Sequence, residues 1–149
     1  MPKAGQVRAE PDREPRVQVA ALPWRRLEGG GFEVLLITSR ETRRWVIPKG
    51  WPIKGMTSHR AAEREAYEEA GVRGDVAKRK LGAYHYEKRL RSGRMQTVKV
   101  TVYPLKVISE GEAFPEADQR EKLWTAPEAA ADLVQEADLA ALLRRFAPK

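Results

Sequence analysis

The 149-residue sequence predicts an α/β fold in which a mixed β-sheet lies between helices. Three observations lead there. Apolar stretches with strand character stand on both sides of one short helix, the chain order is strands, helix, strands, helix, and no segment repeats. The length suits one domain. A hydrophobic fraction of 42% supplies enough side chains for a core.

Residues 1–15 carry three prolines and mixed charges without periodicity, so they are expected to form a flexible tail ahead of a single domain at 16–149. Val17 to Leu22 (VQVAAL) is the first expected strand, and a turn follows at Glu28 to Gly31. Phe32 to Thr38 (FEVLLIT) is a short apolar run after glycines, the mark of a buried strand. Trp45 to Ile47 continues the pattern until Pro48 ends it. Lys49 to Thr57 contains Gly50, Pro52 and Gly55 and is expected to be a loop.

A helix should run from Ser58 to Ala70, with Thr57 or Ser58 as its cap and Gly71 as its stop. Further strands are expected at Lys80–Lys88 and Gln96–Ile108, with Gly93 turning the hairpin. In the second, Val98, Val100 and Val102 alternate with Thr97, Lys99 and Thr101. Glu110 to Asp118 should be a loop and Lys122 to Thr125 a last short strand. Leucines at helical spacing make Pro127 to Phe146 a C-terminal helix, broken near Glu136. Trp45 and Trp124 are expected in the core.

The formal net charge is +7, which favours acidic partners: polyphosphates, nucleic acid or an anionic surface. The absence of cysteine excludes disulfides, thiolate metal sites and a cysteine nucleophile, and is compatible with a reducing cytoplasm. The first residues lack the apolar stretch of a signal peptide. No apolar run approaches the roughly 18 residues of a membrane span.

The informative segment is Arg64 to Val72, REAYEEAGV. Glu65, Glu68 and Glu69 stand at i, i+3 and i+4 and share a helix face. Like charges at that spacing cost about 0.2–0.5 kcal/mol per pair. Glu68 and Glu69 also sit in the last turn, where the helix dipole disfavours acids. Arg64 can neutralise one of them. A bound divalent cation would relieve both costs, and oxygen-only ligands suit Mg²⁺.

These residues resemble the signature of the Nudix hydrolase family: glycine, five residues, glutamate, seven residues, then Arg-Glu-aliphatic-any-Glu-Glu-any-Gly-aliphatic. The sequence has Gly50, five residues, Met56, seven residues, then REAYEEAGV. The departure is Met56, where the signature has glutamate. The resemblance implies a Nudix-like α/β/α sandwich over about residues 17–146. It also implies Mg²⁺ or Mn²⁺ bound by Glu65 and Glu69, with Glu68 as a further ligand or the group that activates water. Arg64 would orient the glutamates, and the main-chain carbonyl of Lys49 or Gly50 would complete the metal shell. The general base varies within the family, and Glu116 and Glu121 are candidates. Trp45 to Pro52 (WVIPKGWP), Thr38-Ser39-Arg40 and Arg120 are similar to the branch containing diphosphoinositol polyphosphate and diadenosine polyphosphate phosphohydrolases.

The implied activity is metal-dependent hydrolysis of a phosphoanhydride bond in a polyphosphorylated small molecule. Arg40, Lys49, Lys88, Arg89 and Arg120 are the candidate substrate-binding residues, since guanidinium and ammonium groups meet phosphate well. Trp51 is weighed equally as a base-stacking surface and as loop packing. Two other readings compete. Met56 raises a non-catalytic or weakened fold used for binding. The pI of about 9.9 raises a nucleic-acid module, which leaves the carboxylate helix unexplained. A monomer or homodimer without membrane attachment is expected.

Overall fold

The computed structural model describes residues 16–148; the tail expected at 1–15 lies outside them. The strands are β1 (Val17–Arg26), β2 (Phe32–Thr38), β3 (Trp45–Val46), β4 (Lys49–Gly50), β5 (Val72–Val76), β6 (Gly82–Arg89), β7 (Met95–Glu110) and β8 (Lys122–Thr125). The helices are α1 (Ser58–Ala70), α2 (Pro127–Leu133) and α3 (Ala137–Arg145). The strands form one sheet whose main path runs β3-β2-β1-β7-β5, with β4 pairing β1, β6 pairing β7 and β8 pairing β2. β1 and β7 are parallel, and the other pairs are antiparallel, so the sheet is mixed.

Both faces of the sheet are covered, which explains the unbroken apolar runs. On β1, Ala20, Leu22 and Trp24 enter a core with α2 and α3, whereas Val19 and Ala21 enter one with α1. On β2, Val34 and Leu36 take the first face and Leu35 and Ile37 the second. Alanines at 61, 62, 66 and 70 let α1 lie close to the sheet. Aromatic edges lock the opposite layer: the Trp24 and Phe32 rings each meet Phe146, at 6.1 Å and 5.5 Å between centroids. The result is the predicted α/β/α sandwich.

Several boundaries differ from expectation. β1 extends to Arg26 because its second half pairs with β2 through Trp24, Arg25 and Arg26. Lys49–Gly50, expected in a loop, pairs with Ala20 and Val19 of β1. β5 was not predicted. The segment is short, has valines only at its ends, and carries Gly74 at a register shift against β7, so its strand signal is weak. Thr57 holds the N-cap position of α1, but its side chain makes no capping bond. Gly71 takes the left-handed conformation at φ 71°, as expected of the stop. The C-terminal helix breaks as expected, with Glu136 as the N-cap residue of α3. Trp45 and Trp124 are half-buried rather than fully enclosed, and the Trp124 indole N–H reaches Glu110 Oε1 at 3.0 Å.

Candidate active site

The sheet and α1 bring the two ends of the motif together. β4 runs beside β1, and that pairing sets Lys49 and Gly50 over the last turns of α1. The backbone N–H of Lys49 donates to Glu69 Oε1 at 3.3 Å. Gly50 faces the Glu65 carboxylate so closely that a Cβ there would stand 2.5 Å from Oε2 and 2.7 Å from Oε1. The glycine is required by this approach.

Glu65 and Glu69, one helical turn apart, hydrogen-bond to each other through their carboxyl groups. Glu69 is buried, at 7% exposure. Burial, opposed by the Arg120 guanidinium and reinforced by Glu65, pushes its carboxyl up to about 8. Burial also raises Glu65, with the Glu68 and Glu116 charges adding to the effect. A pair of acids in which burial holds a proton on Glu69 forms a site that a cation can occupy by displacing that proton. Glu68 is directed elsewhere: its Oε2 accepts from Arg64 Nε at 2.9 Å on the half-exposed flank of the helix. Among the described residues no three His, Cys, Asp or Glu side chains converge as a ready-made cage. A pair of carboxylates with nearby main chain still fits Mg²⁺, which keeps several waters and takes few protein ligands.

The late loop closes the site from the other side. The backbone N–H of Glu116 donates to the carbonyl of Glu68 at 3.0 Å. The Glu121 carbonyl accepts from the Thr38 backbone N–H at the end of β2, and the Glu121 N–H donates to the buried Thr38 hydroxyl. Between these anchors Arg120 is drawn inward, with its side chain 8% exposed. It contacts Glu116 Oε1 at 2.7 Å and Glu69 Oε1 at 3.6 Å, and its Nη1 donates to the Thr38 carbonyl at 2.9 Å. Of the two late acids, Glu116 therefore joins the pair. Glu121 stands outside, exposed, in an ion pair with Arg43 at 2.8 Å.

The cationic candidates separate in space. Lys49 is largely enclosed, and its Nζ lies 4.6 Å from the Tyr86 ring centre. Burial lowers its pKa, against the opposing charge of Glu69. The Tyr86 hydroxyl donates to Gln18 Oε1 at 2.7 Å. Lys88 lies on the same face of β6 as Tyr86, two residues on, with Nζ 5.7 Å from the Trp51 ring centre. Arg89 projects from the opposite face at the hairpin end and is exposed. Arg40 is exposed and donates to Gln119 Oε1 at 3.1 Å. Sequence reading did not find Glu136. It pairs with Arg44 at 2.7 Å across 92 residues, and a lone glutamate at a helix break gives no local sign of such burial.

A family model described as the NUDIX domain matches residues 14–148. Nudix hydrolase 12, mitochondrial, of Arabidopsis thaliana is 33% identical over 105 residues, covering 68% of this chain and 52% of that protein. Nudix hydrolase 21, chloroplastic, of the same plant is 32% identical over 139 residues, covering 88% and 66%. The chain thus spans about half to two thirds of the length of these relatives. A C. elegans Ap4A hydrolase, solved as a binary complex, superposes with a TM-score of 0.65 at 24% identity, covering 89% of this chain and 95% of that one. A MutT protein from Methanosarcina mazei Go1 gives 0.63 at 21%, covering 87% and 91%. These two likenesses concern the fold. With the family model spanning nearly the whole described chain, the protein belongs to the Nudix hydrolase family.

Proposed function

We propose that this protein hydrolyses a phosphoanhydride bond in a polyphosphorylated small molecule, in the manner of diphosphoinositol polyphosphate or diadenosine polyphosphate phosphohydrolases, and that it needs Mg²⁺ or Mn²⁺. The observation that carries this reading is the Glu65–Glu69 pair beneath Gly50, with Glu69 buried and raised to about 8. Glu65, Glu69 and the main chain at Gly50 would hold the ion, with Glu68 as a further ligand once it leaves Arg64. When bound, the ion neutralises phosphate charge and acidifies water.

The chain's own residues supply the rest. Glu116, beside the pair, and Glu68, held on the flank of the helix by Arg64, are the candidate proton acceptors from the attacking water. Arg64 holds Glu68 in orientation. Arg120 positions Glu69 and Glu116, a role its buried ion pairs favour over direct contact with substrate. Lys49 is the first phosphate contact, since it is enclosed, cationic and adjacent to Glu69. Lys88 beside Trp51 extends that surface, and Arg40 and Arg89 meet the outer charges of a long substrate. Water adds to phosphorus, the anhydride P–O bond breaks, and the leaving phosphate departs with its electron pair. The working partner is a small anionic molecule, and we propose a cytoplasmic setting.

The test is release of phosphate or nucleotide from diphosphoinositol, diadenosine polyphosphate, ADP-ribose and nucleoside triphosphate substrates. It is run with Mg²⁺, with Mn²⁺ and with EDTA, beside Glu69→Gln. Metal-dependent turnover that collapses in the variant supports the enzyme and ranks the substrates. A folded protein that binds these compounds without turnover replaces this reading with the non-catalytic one, and Met56→Glu becomes the first reversion.

A further inference from the structure

On the face of α1 turned away from the sheet, an open pocket of about 630 Å³ is bounded by the Gly55–Thr57 turn, the outer side of the helix and the start of β5. Its charge is one-sided. Arg60, Arg64 and Arg73 line it, against a single carboxylate, Glu63. No Asp or Glu lies in the first turn of α1. Met56 forms part of the wall, so the residue that departs from the family signature contributes no charge there.

The three guanidiniums are lightly used. Arg60 donates through Nη1 to Glu63 at 2.8 Å, and Arg64 through Nε to Glu68 at 2.9 Å. Among the described residues Arg73 has neither an ion pair nor a side-chain hydrogen bond. Its Cζ lies over the Tyr67 ring, 4.0 Å from the ring centre. Stacking on an aromatic face restrains a guanidinium and leaves its edge donors directed outward. Three such groups around one pocket repel one another unless an anion lies between them, and their planar forks match the oxygens of phosphate.

We propose that this pocket is a second anion site, distinct from the carboxylate pair, and that it takes a small phosphate-type oxyanion such as a diphosphate. Arg60 and Arg73 are its principal ligands. Arg64 is shared, since it lines the pocket while its Nε holds Glu68; an occupant therefore touches the residue that orients Glu68. Binding at this site does not rest on the proposed hydrolysis. A nucleoside adds nothing to affinity, because Arg73 already covers the Tyr67 face.

Isothermal titration of the full chain in EDTA, with inorganic pyrophosphate and separately with ADP, tests this without any turnover. Three proteins are compared: wild type, Lys49→Gln, and Arg60→Gln/Arg73→Gln. Saturable binding is expected in wild type. Lys49→Gln should keep it, because Lys49 lies on the other side of α1. The double variant should weaken it by about tenfold or more, as expected for lost charged hydrogen bonds, while keeping the wild-type melting temperature and any hydrolytic activity. Met56→Glu should also weaken it by placing a carboxylate in the wall. The proposal is overturned by three results: no saturable binding in wild type, binding that Lys49→Gln abolishes and the double variant leaves intact, or binding of ADP without binding of pyrophosphate.

Discussion

Gly50 leaves empty the space that the carboxylate of Glu65 needs: a Cβ at position 50 would lie 2.5 Å from Oε2 and 2.7 Å from Oε1. The obstructing atoms are the far end of a flexible side chain, so Gly50→Ala should fold. Its stability should stay within about 1 kcal/mol of wild type, because Glu65 can swing aside. Activity should fall by about 100-fold, since a displacement of the order of 1 Å at a catalytic group costs that much. Thermal melts and kcat, measured on the same preparation, separate these effects. A variant with wild-type activity would show that Glu65 does not act from beneath Gly50.

Glu69 should make the metal-free protein less stable as pH rises. Its carboxyl has an ordinary value of 4.5 and is raised to about 8 in the fold, chiefly by burial. Below 4.5 both folded and unfolded chains hold the proton, and folding loses nothing. Between 4.5 and about 8 the unfolded chain releases the proton more readily, so stability declines across that window and levels off above it. Excess Mg²⁺ should flatten the decline by favouring the ionised pair. Glu69→Gln should remove most of the pH dependence without metal. Melting temperatures from pH 4.5 to 9, with and without EDTA, provide the check.

Arg120 binds Glu116, Glu69 and the Thr38 carbonyl from a nearly buried position. Arg120→Ala leaves two acids facing each other without their cation. A loss of about 3 kcal/mol is expected, as for other broken buried ion pairs. That corresponds to a fall of roughly 10 °C in melting temperature for a domain of this size. Arg120→Lys should recover only part, since one ammonium cannot reproduce contacts made through Nε, Nη1 and Nη2. Urea unfolding of the three proteins measures it.

Gly71 combines a left-handed backbone with tight packing. A Cβ there would meet the Phe114 ring and stand 2.7 Å from the Gly111 carbonyl oxygen. The Gly111 N–H also donates to the Gly71 carbonyl at 2.9 Å. Gly71→Ala should therefore cost about 2 kcal/mol or more. It should also lower activity, because the same loop carries Glu116 to the carboxylate pair. An activity loss no larger than the unfolded fraction would separate Glu116 from the chemistry.

The sequence by itself determined the features whose causes are local. Helix α1 was legible from Ser58 to Ala70 because its glutamates and alanines repeat at helical spacing and a glycine able to adopt positive φ follows. β2 and β8 were legible as short apolar or β-branched runs between breakers, and the spacing from Gly50 to Glu69 carried the family resemblance. Tertiary structure alone decided which charges meet. β5 shows its identity only when paired with β7, because it is five residues long with valines only at its ends and a glycine interrupts it. Lys49 and Gly50 become a strand only beside Val19 and Ala20. Arg120 reads in the sequence as a candidate phosphate contact, and only the loop anchored at Thr38 and Glu68 turns it inward onto Glu69 and Glu116. The Arg44–Glu136 pair joins positions 92 residues apart. Local conformational preference is encoded within a few neighbouring residues. Burial and pairing depend on which distant segments the sheet brings to the same face, and that is why the sequence named the acids and cations of the site but not which of them meet.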